Sequence, residues 1–360
     1  FRGNEDIGGG FRAIFTLEQR LELNNGTFGN RPPTGAQVPD RLNNAVLLGL
    51  CAPAPAACPL QAAVTGVAGQ VGQTLGVNLA NSAWDRQAYV GLVTPVGAVL
   101  LGRQYTPAYE INATFDALGT QSSLAAGQVA SIPPSVDIRV SNALQYRIVY
   151  GGITAGAMYA FGGNALNSKA NRFGGAMAMY KGANFSVGIG YNQRNNDIGQ
   201  ESLKSLVIGA NANLGPGTAY VLVGQIEDDN PSGVSTIATN LTPLTGATAG
   251  ALVQNAFTAA LRQDGRLAHM GYKLTTGANT FYVAYSSFND RRAANADVAS
   301  YGAAYSYALS KRTDLNVVLT HFDNKNLAQA APGQAGFLGG VTKSAGPDSN
   351  SLARGVRHRF

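Results

Sequence analysis

The densest chemistry in the sequence lies between Gly102 and Arg147, which reads GRQYTPAYEINATFDALGTQSSLAAGQVASIPPSVDIRVSNALQYR. Arg103 stands at its start, and Arg139 and Arg147 close it. Glu110, Asp116 and Asp137 are the acids within it, and residues 117–136 hold no Asp, Glu, Lys or Arg. Such an array does not read as a catalytic centre. The histidines, His269, His321 and His358, lack the HExxH spacing, and no GxSxG or Walker motif occurs. An enzyme is therefore not expected. Long inserts without regular structure are rare in compact domains and usually functional. Folded into a barrel, this one narrows a pore, with its charged ends acting on whatever passes.

Such a role needs elements that build a wall around the insert. Charged residues make up 13% of the chain, about half the usual soluble share. Mean hydropathy is −0.02, and no run of 18 apolar residues encodes a spanning helix. Low charge, 45 glycines and many Tyr and Phe fit a transmembrane β-barrel, which needs apolar residues only at alternate positions. A secreted sandwich or solenoid shares that composition. The net charge is +6, but the basic residues are dispersed and accompany no nucleic-acid motif. Cys51 and Cys58 share one Pro/Ala-rich loop. Their spacing suits a small disulfide in an oxidising compartment better than a metal site, so neither a metal nor a cofactor is expected.

Alternation supports strands. Over Phe11 to Leu23 the odd positions are Phe11, Ala13, Phe15, Leu17, Gln19, Leu21 and Leu23, while the even ones include Arg12, Glu18 and Arg20. A strand puts these sets on opposite faces, one suited to lipid and one to water. The same reading gives strands over 84–93, 98–103, 139–150, 154–161, 173–181, 185–192, 203–214, 219–227, 267–274, 279–288, 298–309, 313–322 and 352–360. Arg139 and Arg147 fall on the polar face of theirs. Arg86 falls on a lipid-like face with Ala88 and Val90, unless a bulge near Asp85 resets the register or the residue lies above the membrane. Short turns alternate with long loops at 24–82, 104–138, 228–265 and 323–349, the first with room for a short helix in 60–79. That segregation marks outer-membrane barrels and not sandwiches. The expected fold is an all-β, up-and-down antiparallel transmembrane barrel spanning 1–360 as one domain. With the end of a strand at Phe1 to Asp6, about fifteen strands are counted. Since such barrels have even numbers, a sixteenth is expected upstream of Phe1.

Several stretches resemble, in order, the Gram-negative general porins: FRGNEDIGGGFRAIFTLEQ, DRQAYVGLVTPVGAVLLGRQYTP, RVSNALQY, LSKRTDLNV and the terminal LARGVRHRF. The resemblance is nearest to trimeric, sixteen-stranded proteobacterial porins, including anion-selective ones, and leaves the loops at 24–82 and 228–265 unmatched. It implies passive diffusion of small hydrophilic solutes and ions through the outer membrane. It also implies that loop 104–138 folds inward to form a constriction. The wall arginines it assigns are Arg86, Arg103 and Arg139, with Arg147 close by. Glu18, Arg20, Glu110, Asp116 and Asp137 complete the constriction set. Phe360 would be the aromatic terminus read by the barrel-assembly machinery. The partners implied are a homotrimer, outer-membrane lipid and lipopolysaccharide, and small anions. Since the loop centre lacks carboxylates, the wall arginines are incompletely balanced and a mild anion preference follows. The competing functions are a substrate-specific channel and a structural or adhesive protein with a closed lumen.

Overall fold

The computed structural model describes residues 1–19, 21, 26, 28, 39–53, 58–72, 82–119, 138–162, 167–331 and 340–359. Fourteen consecutive strands open the barrel: β1 (Arg2–Gly8), β2 (Phe11–Leu17), β3 (Ala88–Thr94), β4 (Gly97–Tyr105), β5 (Arg139–Tyr150), β6 (Ile153–Ala160), β7 (Phe173–Lys181), β8 (Phe185–Asn195), β9 (Glu201–Leu214), β10 (Gly217–Asp228), β11 (Gln263–Thr276), β12 (Asn279–Asp290), β13 (Val298–Ala308) and β14 (Thr313–Asn324). A two-residue pair, β15 (Ala330–Ala331) with β16 (Gly340–Val341), lies in the last loop, and β17 (Ser349–His358) returns to the sheet. The fifteen long strands form one antiparallel sheet in which each pairs with its sequence neighbour and β14 pairs with β17.

The two faces are chemically opposite. On β14 the inward row is Asp314, Asn316, Val318, Thr320, Phe322 and Asn324, all buried, while Leu315, Val317 and Leu319 point outward and are exposed. On β8 Phe185, Val187, Ile189 and Tyr191 are outward, against Gly188, Gly190 and Asn192 inward. Apolar residues outside and polar ones inside are what lipid requires, and pairing between neighbouring strands satisfies the backbone from β1 through to β17. Aromatic pairs sit towards the short-turn rim, Tyr180 with Phe185 at 5.7 Å and Phe281 with Tyr305 at 5.2 Å. Interfaces favour such rings.

One end carries only tight connections, at 9–10, 95–96, 151–152, 182–184, 215–216, 277–278 and 309–312. Gly151 and Gly152 both take positive φ, 55° and 82°, as a two-residue hairpin turn demands. The longer connections all leave the other end.

Several elements depart from the alternation reading. β2 ends at Leu17 and not at Leu23, and β3 begins at Ala88 and not at Trp84. The rim residues follow side-chain chemistry instead: Glu18 turns to Arg86, and the Trp84 ring meets Phe1 edge-on at 5.9 Å. Three of the long connections carry helices. α1 (Asp40–Asn43) and α2 (Gln61–Gly72) follow β2, α3 (Pro107–Thr114) follows β4, and α4 (Ile237–Thr245) and α5 (Ala247–Leu261) join β10 to β11. Cys51 and Cys58 are joined in a disulfide with 5.9 Å between their Cα atoms. Arg354 points outward between Leu352 and Val356, opposite Val317.

Candidate functional site

α3 lies inside the barrel, and the wall is shaped to take it. Pro107 at the first helical turn needs no acceptor for its missing N–H. The next N–H, from Ala108, donates to Asn192 Oδ1 on β8 at 3.0 Å, and Asn192 Nδ2 donates to Thr106 Oγ1 at 2.9 Å. A wall residue thus caps the helix start, which no side chain of the helix itself does. Tyr109, Ile111 and Phe115 pack into a core with Met177, Leu203, Val207 and Leu222 from the inner wall.

Glycines make this approach possible. A β-carbon on Gly190 would lie 2.7 Å from the Pro107 carbonyl oxygen and 2.8 Å from Ala108 Cα. One on Gly209 would lie 2.5 Å from the Phe115 ring. Gly190→Val is therefore expected to push α3 off the wall into the lumen, at an overpacking cost of about 1–3 kcal/mol. Single-channel conductance should fall. Conductance equal to the wild type would mean that α3 does not bound the permeation path.

Two further contacts hold the ends of the loop. Arg147 on β5 grips Glu110, with Nη1 at 2.9 and 3.2 Å from the two carboxylate oxygens. Beyond α3, the Ala117 N–H donates to His269 Nε2 at 3.1 Å. That leaves His269 Nδ1 to carry the proton towards Ser286 Oγ at 2.7 Å. Asp116 Oδ1 lies 3.5 Å from the same imidazole, and both side chains are almost wholly buried.

A third group lies where the loop leaves the wall. Arg86 Nε is 2.6 Å from Glu18 Oε1, and Arg86 Nη2 donates to the Tyr105 hydroxyl at 2.8 Å. Arg139 Nη2 donates to the same hydroxyl at 3.1 Å, and its guanidinium lies 4.6 Å from the Tyr105 ring centroid. The Tyr109 ring stacks behind at 5.3 Å. Gln87 Nε2 donates to Glu18 Oε2 at 3.3 Å. Burial raises the Glu18 pKa, but the charge and hydrogen bond of Arg86, with Gln87 and Arg139, hold the carboxyl below its ordinary value. The folded value lies below the unfolded one, so the pair stabilises the fold at neutral pH and ceases to as pH falls through the folded pKa. Arg103 Nε donates to the Asp85 carbonyl at 2.7 Å and Nη1 to Ser141 Oγ at 3.0 Å. It sits opposite a bulge in β5, where Asn142 takes φ 55°.

Of the residues singled out by sequence, Glu18, Arg86 and Arg139 meet around Tyr105, with Arg103 beside them. Arg147 and Glu110 form a separate pair on α3, and Asp116 lies at the far end with His269. Arg86 precedes β3, so strand alternation does not govern it. Arg20, Asp137 and Phe360 lie outside the described residues, as does most of the uncharged stretch 117–136. Sequence reasoning passed over Tyr105, Asn192, His269 and Ser286. Asn192 and His269 could have been found as polar residues on the inward faces of their strands.

Among the described residues neither Arg103 nor Arg139 has a carboxylate within salt-bridge distance, whereas Glu18 and Glu110 are each bound by an arginine. The site gathers guanidinium groups where the loop leaves the wall, beside a helix whose one carboxylate, Glu110, is bound by Arg147. It can orient and select solutes by charge and size.

A family model described as Gram-negative porin matches residues 1–327. No curated protein sequence matches the chain. Among solved structures, an anion-selective porin from Comamonas acidovorans is similar at 21% identity and TM-score 0.66, covering 100% of this chain and 88% of that one. OmpF of Salmonella typhi, in complex with daunomycin, is similar at 12% identity and TM-score 0.58, covering 99% and 88%. OmpT, an outer membrane protein of Vibrio cholerae, is similar at 13% identity and TM-score 0.52, covering 76% and 80%.

Proposed function

The chain belongs to the Gram-negative porin family, and from that premise we propose that it is a trimeric diffusion channel with a mild preference for anions. The family makes it an integral outer-membrane β-barrel that passes small solutes. The preference for anions is carried by one observation. Among the described residues Arg103 and Arg139 are bonded to neutral oxygens and to no carboxylate, while each described acid of the loop has its own partner. Fixed guanidinium charge in a narrow aqueous path raises the local anion concentration. The buried Asp85 carboxylate acts on Arg103 from beyond salt-bridge distance, which keeps the preference mild.

The subunit number is carried from the family. The similar OmpT of Vibrio cholerae occurs in a trimer form. Arg354 supports a protein contact on the outer wall of β17, since an arginine facing lipid at mid-height costs about 2–4 kcal/mol. Recording in a planar bilayer under a potassium chloride gradient tests the selectivity. Stepwise conductance with a reversal potential on the chloride side is expected. A reversal potential on the potassium side would overturn the anion preference, and silence would overturn the channel.

A further inference from the structure

The β2–β3 and β10–β11 connections pack against each other. Leu42, Ala45, Val64, Val67 and Ala68 from the β2–β3 connection share one buried apolar cluster with Val234, Ile237, Leu241, Val253 and Phe257 from the β10–β11 connection. α1 contacts α5, and α2 contacts α4. The topology makes this contact consequential. β3 through β10 lie between the two connections on one side of the sheet, and β11 through β14, β17, β1 and β2 on the other. The connections therefore rise from roughly opposite points of the rim. Segments from opposite points can share a core only by crossing the mouth of the barrel.

This crossing is anchored. Gln61 joins α2 to α1, accepting from the Ala45 N–H at 2.9 Å and donating to the Asn43 carbonyl at 2.8 Å. Asp40 Oδ2 accepts from the Ala345 N–H at 3.0 Å, which ties α1 to the last loop. Arg292 Nη1 donates to the Ala260 carbonyl at 3.1 Å and the Arg262 carbonyl at 2.7 Å, which ties the end of α5 to the β12–β13 connection. The bonded Cys51 and Cys58 pack against the same apolar cluster. Residues 42–84 and 230–261 contain no charged side chain at all.

We infer that α1, α2, α4 and α5 form a fixed roof without net charge across the outer mouth, Asp40 and Arg41 offsetting each other, which screens solutes by size before the wall arginines around α3 act on charge. The two filters stand in series and use different physics. A roof without net charge exerts little long-range pull on ions of either sign, so it narrows the approach and leaves ion preference to the level below. Its core holds it in place: each fully buried Val, Leu or Phe side chain contributes to burial in the way that fixes a small domain.

The inference rests on the channel reading, and one set of measurements separates them. Two variants are compared with wild type: residues 231–261 replaced by a Gly-Ser-Gly-Ser linker, and the milder pair Val253→Ala with Phe257→Ala, which keeps the loop but empties the core. Liposome swelling gives the rate for a trisaccharide such as raffinose relative to arabinose, and a bilayer under a salt gradient gives the reversal potential. Expected is a several-fold rise in the raffinose-to-arabinose ratio in the linker variant, a smaller rise in the double alanine variant, and an unchanged reversal potential in both. Conducting wild-type and variant channels with one and the same ratio would overturn the roof alone. A reversal potential that moved with the roof would overturn its neutrality. A silent wild type would overturn the channel reading itself.

Discussion

Asp290→Asn is expected to release the outer loops from the rim while the spanning strands stay paired. The Asp290 carboxylate is wholly buried at the end of β12, with Arg292 Nε at 2.6 Å and Nη2 at 2.8 Å. It also accepts from the Ala296 N–H at 2.9 Å. Through Arg292 it holds the last carbonyls of α5, and its charge also acts on Arg41 on α1. Burial and the neighbouring Arg292 push the Arg41 guanidinium down to about 10, with Asp290 pulling the other way. Asparagine keeps the shape and removes the charge, leaving two buried guanidinium groups facing each other. Removing one partner of a buried ion pair costs about 3–5 kcal/mol. Hydrogen exchange should therefore rise across 237–261 and 40–50, with little change in β5 to β10. Equal protection in mutant and wild type would show that the two arginines find other neutralisation.

The second large effect concerns selectivity. Arg103→Gln with Arg139→Gln is expected to abolish the chloride preference, and Arg139→Glu to turn it towards potassium. A unit charge about 4 Å from a passing ion in water is worth about 1 kcal/mol, of opposite sign for the two ions, so each neutralised arginine changes the local anion-to-cation ratio by at most roughly thirtyfold. Screening reduces this, since the Debye length is about 10 Å at 0.1 M salt, so the shift should be larger in dilute solution. Arg147→Gln serves as the contrast. Its charge is already engaged by Glu110, so the change leaves an unpaired carboxylate and moves the preference by another route. A double glutamine variant that kept the wild-type reversal potential would remove Arg103 and Arg139 from the permeation path.

Much of the wall was legible because a strand leaves a two-residue period. Val187, Ile189 and Tyr191 against Gly188, Gly190 and Asn192 declare both faces of β8 before any coordinates are known. The short turns were legible for a similar reason, since Gly151-Gly152 admits few conformations. Rim residues were not legible in this way. Arg86 reads as lipid-facing by alternation, yet it precedes β3, and its direction is set by Glu18 and Tyr105, which are remote in sequence.

The long loops show the same division more sharply. The loops at 24–82 and 228–265 read as plain, Ala-rich connections, with at most a short helix in the first. Nothing local says that Val64 and Phe257 share a core. The local pattern decided the strands, the turns, the polar lumen and the membrane the protein occupies, because each depends on neighbours within a few residues. Only the closed tertiary structure decided which charges meet at Tyr105, how α3 is clamped by Asn192 and His269, and that two connections cross the mouth. Those contacts join residues remote in sequence, on neighbouring strands at Tyr105 and across the lumen at the roof, and the curvature of the whole sheet, set by every strand at once, brings them within reach.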